Sequence, residues 1–463
     1  MSTSDVEQST TQSDLSVTSA PAFRDRTRAF LDQQSTAQRP ARYRDVFAVG
    51  EFRAVFLADL LSLLGDQIAA VAVAVLLYER SGSPLLAALG YATAYVPWLL
   101  GGPVLAAGAE RFPARTVLVG CDLGRAGLIG LAAVPGLPLP VVGVLVLLAA
   151  LLAPPFEAAR SALLPQILEG DRYPVAMSLR DAVHQSAQLV GFGIGGALVL
   201  VLSATGALAL NAITFAASAV VLHLGLRLRP LQPDPPPPTP RDLAQLDGPP
   251  GPDHGPERGS LWQEAMAGLA VIRSDRLLSA PLRLGIAGAA YAIVPEAIAP
   301  AYAASVGGDA TAVGLIMAAV AGGSVVGGLA IGRLVAPALR TRLIRPLALA
   351  GTLPLMVVLF RPGLTISLLL FAITGLTSSY QVAANAMFAQ RLPAPVRTRA
   401  FGIAITGLYG GQALAIVLAG AAAQFLTPAT VVGATGLVGA LAVVLSPWPA
   451  ARANPARRRH RQT

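Results

Sequence analysis

Lysine is missing from this chain of 463 residues, so all 34 basic side chains are arginines. A Walker A loop needs the sequence GxxxxGK[ST] to hold nucleotide phosphates, so the absence of lysine excludes an ATP-driven pump of the P-loop kind. The single cysteine, Cys121, excludes an internal disulfide and a cysteine-based metal site. We therefore expect neither a cofactor nor a metal.

Charged residues are also scarce. They make up 13% of the chain, whereas about a quarter of an ordinary soluble domain is charged. Hydrophobic residues make up 54%, and the mean hydropathy is +0.61. This composition is typical of a polytopic membrane protein, so we predict an all-α fold within a lipid bilayer. Twelve apolar segments follow one another, near residues 52–78, 84–106, 115–134, 139–160, 179–202, 206–226, 277–304, 311–333, 343–360, 364–390, 400–424 and 428–447.

Polar stretches divide these segments into two sets of six. The sequence predicts a disordered tail (1–45), a six-helix bundle (46–226), a Pro/Gly-rich linker (227–276), a second six-helix bundle (277–447) and a basic tail (448–463). Arginines are concentrated in both tails, the linker and the alternate loops. By the positive-inside rule, both termini and the linker are cytoplasmic in a cytoplasmic-membrane protein.

The two bundles also repeat each other. The first and seventh segments begin about 225 residues apart, and residues 158–168 lie opposite residues 383–393 at the same offset. Two tandem six-helix units place a pseudo-two-fold axis along the membrane normal. We therefore expect a substrate site between the halves near mid-membrane, exposed alternately on each side as one half rocks against the other.

Acids inside apolar segments are candidates for function, because a charged side chain within the membrane usually faces a cavity or a partner. Asp66 lies in the middle of the first segment and Asp59 two turns earlier on the same face. Glu296 is flanked by Pro295 and Pro300 in the seventh segment. We predict proton coupling at Asp66 first, then at Asp59 or Glu296. A structural hydrogen bond or contact with water is the alternative for each.

Two further groups of residues have both structural and functional interpretations. Asp122 and Arg125 are three residues apart in the third segment, which predicts a buried ion pair, with a proton relay or gate as the alternative. Uncharged polar residues within the apolar segments are candidates for the cavity wall, with helix packing as the alternative: Gln67, Gln185, Tyr380, Gln381, Asn385 and Gln412.

The loop after the second segment reads AAGAERFPART. Together with twelve spans and a long central linker, it resembles the major facilitator superfamily, whose signature here is GxxxDRxGRR. Glu110 and Arg111 stand at the acid and base positions, and Arg115 at a later basic one. Glu110 replaces the family's Asp, and Ala114 and Thr116 thin the final basic pair. The resemblance implies that Glu110, Arg111 and Arg115 form a cytoplasmic gate.

A glycine-rich stretch in the fifth segment resembles the exporter signature GxxxGPxxGG of the same superfamily. Gly191, Gly195 and Gly196 match it, whereas Phe192 replaces the proline and Ala187 the first glycine. Small residues at this spacing let helices approach closely. The GDQ at 65–67 and LLPQIL at 163–168 are similar to the siderophore-exporter and macrolide-efflux branch.

The sequence as a whole predicts a secondary active transporter. We expect a proton-coupled antiporter that exports small amphipathic compounds, works as a monomer and binds no nucleic acid. A siderophore exporter, an exporter of another specific solute, an importer and a transport-inactive sensor remain alternatives. A membrane enzyme is disfavoured because the four histidines and one cysteine form no cluster at catalytic or ligand spacing.

Overall fold

The computed structural model describes residues 42–99, 111–168, 170–229, 276–392 and 397–447, and these ranges contain helices but no β-strand. In chain order the helices are α1 (Tyr43–Phe47), α2 (Gly50–Ser81), α3 (Pro84–Ala92), α4 (Val96–Leu99), α5 (Ala114–Ala132), α6 (Leu139–Ala150), α7 (Ala153–Ile167), α8 (Arg172–Gly225), α9 (Arg276–Ala292), α10 (Val294–Ala297), α11 (Ala299–Ser305), α12 (Ala310–Leu334), α13 (Pro337–Ala350), α14 (Thr352–Val357), α15 (Leu364–Ser378), α16 (Tyr380–Arg391), α17 (Arg397–Ala422) and α18 (Pro428–Leu445).

The predicted all-α membrane fold is confirmed. Nine helical stretches of the described chain are long and apolar enough to cross a membrane. One of them, α8, contains both the fifth and the sixth predicted segments. Its backbone leaves helical geometry at Ser203 (φ 68°, ψ 165°), which separates the two. The count of twelve stays a prediction, since the second segment runs beyond Leu99 into residues outside the described ranges.

Several predicted boundaries shift. Helix α7 continues to Ile167, seven residues past the expected end of the fourth segment. Two of its prolines, Pro154 and Pro155, occupy the first turn, where a missing N–H costs no helical hydrogen bond. The seventh segment divides into α9, α10 and α11, with Pro295 and Pro300 in the first turns of the last two.

The polar regions lie mostly outside the described residues, namely positions 1–41, 230–275 and 448–463. The disordered tail was predicted to extend to residue 45, but α1 already begins at Tyr43, so the predicted boundary lies too late in the chain. This helix is fixed by the carboxylate of Asp45, which accepts the backbone N–H of Arg42 at 2.9 Å. Phe47 then packs edge-on against Phe52 and Phe56 of α2.

Hydrogen bonds between helix ends define the two ends of the bundle. At one end the start of α2 meets the residues after α8, where Arg229 Nη2 donates to Glu51 Oε2 at 2.6 Å. We call this the terminal end, since the described chain also begins and finishes there. At the opposite end, the far end, Gln424 Nε2 donates to Ser83 Oγ at 2.5 Å. Arginine-rich loops lie at the terminal end, which is therefore the predicted cytoplasmic side.

The hydrophobic cores show how the two halves meet. One large cluster combines residues from both halves, including Val71, Phe192, Tyr291 and Met317. Three smaller clusters each draw on one half alone: the first contains residues between Val46 and Leu226, and the others contain residues after position 277. Among the described residues, apolar packing therefore joins the halves in one shared core, and the remaining packing stays within each half.

Candidate functional site

A polar cavity of about 250 Å³ lies between the two halves. Residues of α8 and the α3–α4 turn line it on one side, and residues of α9, α10, α12, α15, α16 and α17 on the other. Its described lining residues are Tyr95, Gln185, Gln188, Ala289, Ala292, Ile293, Glu296, Val320, Ala321, Ser324, Ser378, Gln381, Leu408 and Gln412. Most of the polar atoms come from amides and hydroxyls, which both donate and accept hydrogen bonds.

Four of the predicted site residues lie together on this cavity: Gln185, Gln381, Gln412 and Glu296. Three other cavity candidates do not line it. Gln67 packs beneath Gly191, Tyr380 is fully buried with its hydroxyl donating to Leu284 O at 2.8 Å, and Asn385 is exposed on α16. Tyr380 is buried and Gln67 is half-buried against α8, so both pack between helices instead of lining the cavity.

Glu296 joins the halves at the cavity wall. It is 3% exposed, and the hydroxyl of Tyr91 donates to its Oε2 at 2.6 Å. Tyr91 belongs to α3 in the first half and Glu296 to α10 in the second. A hydrogen bond to a carboxylate is stronger than one between neutral groups, so this contact fastens the two halves together in the present conformation.

Aromatic rings continue from this hydrogen bond towards α17. The ring centres of Tyr91 and Tyr95 are 6.0 Å apart, and those of Tyr95 and Tyr409 are 5.9 Å apart. Trp98 then stacks on Tyr409 at 5.5 Å with an interplanar angle of 18°. Sequence reasoning missed Tyr91 and Tyr95. Their spacing with Trp98, four and then three residues, was the available signal, because it places the three rings on one face of a helix.

A network of charges connects α2, α7 and α8 within the first half. Asp59 and Glu157 both contact the guanidinium of Arg160, which is almost fully buried. Arg180 adds a second cation, with Nη2 3.1 Å from Glu157 Oε2 and Nε 3.5 Å from Asp59 Oδ2. Asp59 is therefore held in a structural ion pair rather than left free. The contacts with Arg160 and Arg180 therefore argue against the predicted role of Asp59 in proton coupling.

Asp66 stands apart from that network. Its side chain is exposed, whereas Gly65 before it is buried against Asn211 and Thr214. It shares a helix face with Asp59, two turns away, and its electrostatic neighbours are Arg125 and Asp59. No ion pair or hydrogen bond joins its carboxylate to another described residue. Asp66 therefore has no fixed cationic partner among the described residues, and it is not among the described residues that line the cavity.

Asp122 and Arg125 are both buried, but the direct ion pair expected between them is not formed. Ser218 Oγ donates to Asp122 Oδ2 at 2.5 Å, and Oδ1 has no hydrogen-bond partner in the described structure. The Arg125 guanidinium instead lies over the rings of Phe156 and Phe215, at 5.5 and 5.2 Å. Aromatic faces attract a cation, so they compete with the carboxylate for this arginine.

The predicted gate is only partly visible. Glu110 lies outside the described residues. Arg111 is the first described residue of the next range, and its side chain is exposed. Arg115, at the start of α5, donates from Nη2 to the backbone carbonyl of His223 at 2.6 Å. Its guanidinium thereby ties α5 to the last turn of α8, where carbonyls lack intrahelical partners. This contact lies within the first half and is compatible with a structural role.

The three glycines of the fifth segment allow close approach in two directions. Gly191 and Gly195 face α2: a Cβ atom on them would lie 2.5 Å from Gln67 Cβ and 3.2 Å from Ile68 Cα, respectively. Gly196 faces the other half, where a Cβ atom would lie 2.5 Å from Ala310 O. The close packing expected of small residues is therefore present, and it extends across the boundary between the halves.

Comparisons with known proteins agree with this architecture. The family model for the Major Facilitator Superfamily matches residues 55–361. The multidrug efflux pump Tap, from Mycobacterium tuberculosis and Mycobacterium bovis, is 26% identical to this chain over 406 residues, which cover 84% of this chain and 90% of Tap.

Solved structures share the fold at low sequence identity. A bacterial homolog of the human lysosomal transporter Spinster, in an inward-facing and occupied conformation, has a TM-score of 0.61 at 13% identity, covering 89% of this chain and 96% of that one. The nucleoside transporter NupG gives 0.58 at 11%, covering 84% and 97%. A POT family transporter in complex with 5-aminolevulinic acid gives 0.62 at 10%, covering 85% and 94%. Because the family model matches well over half of the sequence, this chain belongs to the Major Facilitator Superfamily.

Proposed function

We propose that this transporter is a proton-coupled exporter of small amphipathic compounds that works by alternating access. The observation that carries the proposal is the polar cavity between two halves that are fastened together at the far end. Alternating access requires such a central site, with one side closed while the other is accessible. We further propose a monomer in the cytoplasmic membrane, with both termini and the central linker in the cytoplasm.

The direction of transport is supported by sequence similarity. Tap is a multidrug efflux pump, and its match extends over most of both chains. The cavity suits such cargo because its polar atoms are mostly amides and hydroxyls beside apolar side chains such as Ile293 and Leu408. The amides and hydroxyls can form hydrogen bonds with the polar part of such a compound, while the apolar side chains contact its apolar part.

Asp66 is our candidate for proton coupling. Its carboxylate is exposed and has no salt bridge, whereas Asp59 is paired with two arginines. An acid that exchanges protons during the cycle must be reachable by water and free of a permanent cation partner. Arg111 and Arg115, with Glu110, are the proposed cytoplasmic gate, which opens and closes as the halves rock.

Gradient-driven uptake into inside-out proteoliposomes tests the proposal. With an acidic lumen, a proton-coupled exporter accumulates its substrate in exchange for protons that leave. The compounds would be a lipophilic cation, a macrolide and a catechol siderophore, so that a multidrug exporter is distinguished from a siderophore exporter. We expect uptake that an uncoupler abolishes and that Asp66→Asn lowers by about tenfold or more. Asp181→Asn, which removes an exposed acid of α8, is the matched control.

Each other outcome argues against part of the proposal. Uptake that persists in Asp66→Asn moves the coupling to Asp59 or Glu296. Accumulation only when the gradient is reversed identifies an importer. If no compound accumulates under either gradient, the multidrug exporter is refuted and a narrower solute specificity, or a transport-inactive sensor, takes its place.

A further inference from the structure

We propose that Glu296 is the residue that recognises charge in the cavity, and that it selects singly charged organic cations over neutral compounds of the same shape. The inference rests on the proposed export of amphipathic compounds, and it assigns them a chemical class. Among the described lining residues, Glu296 is the one acidic or basic side chain. The other polar residues are neutral, including the four glutamines Gln185, Gln188, Gln381 and Gln412.

The carboxylate of Glu296 has no cationic partner among the described residues. Among the described residues, the hydroxyl of Tyr91 alone donates a hydrogen bond to this carboxylate, at Oε2. The acids of the first half differ, because Asp59 and Glu157 are matched by Arg160 and Arg180. A buried carboxylate without a counter-charge is unfavourable, so a cation that enters the cavity gains by pairing with it.

Aromatic rings beside Glu296 add to the attraction. Tyr95 lines the cavity next to Tyr91, and Tyr409 and Trp98 stack behind it. Electron-rich ring faces stabilise organic cations that have lost part of their hydration. A planar aromatic cation therefore matches both features, since its rings stack on tyrosine while its charge lies near Oε1.

The size and the charge of the cavity exclude other cargo. At about 250 Å³ it lies just below the usual range of about 300–1,000 Å³ for small-molecule sites. It therefore suits a compound of two to four fused rings better than a macrolide. Anionic compounds would face repulsion from Glu296, with no arginine among the described lining residues to offset it.

Equilibrium binding to purified protein in detergent tests the assignment without any ion gradient. The two ligands are N-methylacridinium, a permanent cation, and acridine, which has the same ring system and is neutral at mildly alkaline pH. We expect the wild-type protein to prefer the cation, and Glu296→Gln to weaken cation binding by about tenfold or more while acridine binding changes by less than about twofold. Glu79→Gln, at an exposed acid outside the cavity, is the control and should leave both affinities unchanged.

A second variant separates loss of charge from loss of folding. Glu296→Asp keeps the carboxylate, so it should keep the preference for the cation. The assignment is overturned if the wild type shows no preference, if Glu296→Gln weakens both ligands equally while Glu296→Asp does the same, or if the cation still binds Glu296→Gln with full affinity. A protein that selects the cation through Glu296 but shows no proton-driven uptake would keep this assignment and refute the proposed function.

Discussion

Arg160 contributes to stability through the two acids that it neutralises. It is 3% exposed and contacts Asp59 and Glu157 on two different helices. Removing one partner of a buried pair leaves the other charge uncompensated, at a cost of about 3–5 kcal/mol. We expect Arg160→Met to lower the unfolding temperature of the detergent-solubilised protein by several degrees, as measured by the intrinsic fluorescence of the tryptophans during heating.

Two further variants test whether the charges, rather than lost packing, cause this effect. Arg180→Met removes the more exposed arginine of the same network and should lower the unfolding temperature less. Adding Asp59→Asn to Arg160→Met removes the uncompensated acid and should recover part of the loss. If the double variant is less stable than Arg160→Met alone, the charge explanation does not hold.

Residue types within helices indicated part of the candidate site. Glu296, Gln185, Gln381 and Gln412 stood out because polar groups are expensive in apolar segments, and all four line the cavity. The partner of Glu296 was not predictable in this way, because Tyr91 is 205 residues away and tyrosine is ordinary in a membrane helix. Arg180 likewise resembled one more basic residue near a helix end.

The length of each apolar segment predicted that a helix forms there, but it did not predict where the helix ends. The long run of apolar residues predicts α2, which ends at the left-handed Gly82 (φ 65°). Ser203 bends α8 in the gap that the sequence left between the fifth and sixth segments, whereas Ser379 separates α15 from α16 inside the tenth segment. Ser379 does not differ in type from serines within regular helix, so hydropathy gave no signal for that break.

At the scale of elements, Gly196 determines how closely α8 and α12 approach. A Cβ atom there would lie 2.5 Å from Ala310 O and 3.0 Å from Gly314 Cα, so the two helices must separate to admit it. We expect Gly196→Ala to shift the population away from the conformation that is closed at the far end. In a Cys121→Ser background, Gln412→Cys in the cavity should then react faster with a membrane-impermeant thiol reagent added from the side of the far end.

Gly193→Ala is the matched control, because Gly193 lies one turn earlier on α8 and a Cβ atom there would be 4.0 Å from Ala318 Cβ, an ordinary contact. Both substitutions raise helix propensity by about the same amount, near 1 kcal/mol. The two variants therefore differ in the steric clash of the added Cβ atom, which only Gly196→Ala introduces. Equal labelling rates in the two variants would show that the contact between α8 and α12 does not limit opening.

At the scale of the whole molecule, the sequence predicted the class of transporter but not the conformation that the structure shows. Repetition between the two sets of segments predicted a site between halves, and a polar cavity lies there. Which end is closed depends on contacts such as Tyr91 with Glu296 and Ser83 with Gln424, whose members are far apart in the sequence. A transporter must also form and break such contacts in each cycle, so a sequence compatible with both states specifies neither one.

Movement of the far end is therefore the most direct test of alternating access. Ser83 caps the N-terminus of α3 and Gln424 follows α17, and their side chains meet at 2.5 Å across the two halves. With cysteines at both positions in a Cys121→Ser background, a short reducible thiol-to-thiol cross-linker should join the halves. Gradient-driven uptake should then stop and return after reduction, because a far end that cannot open traps the cargo in the cavity. Binding of N-methylacridinium in detergent should persist, since the cavity stays formed in the closed conformation.

Each single-cysteine variant, treated with the same reagent, controls for modification alone. Full uptake by the cross-linked protein would show that the far end does not open between Ser83 and Gln424, and that the halves exchange access by another motion.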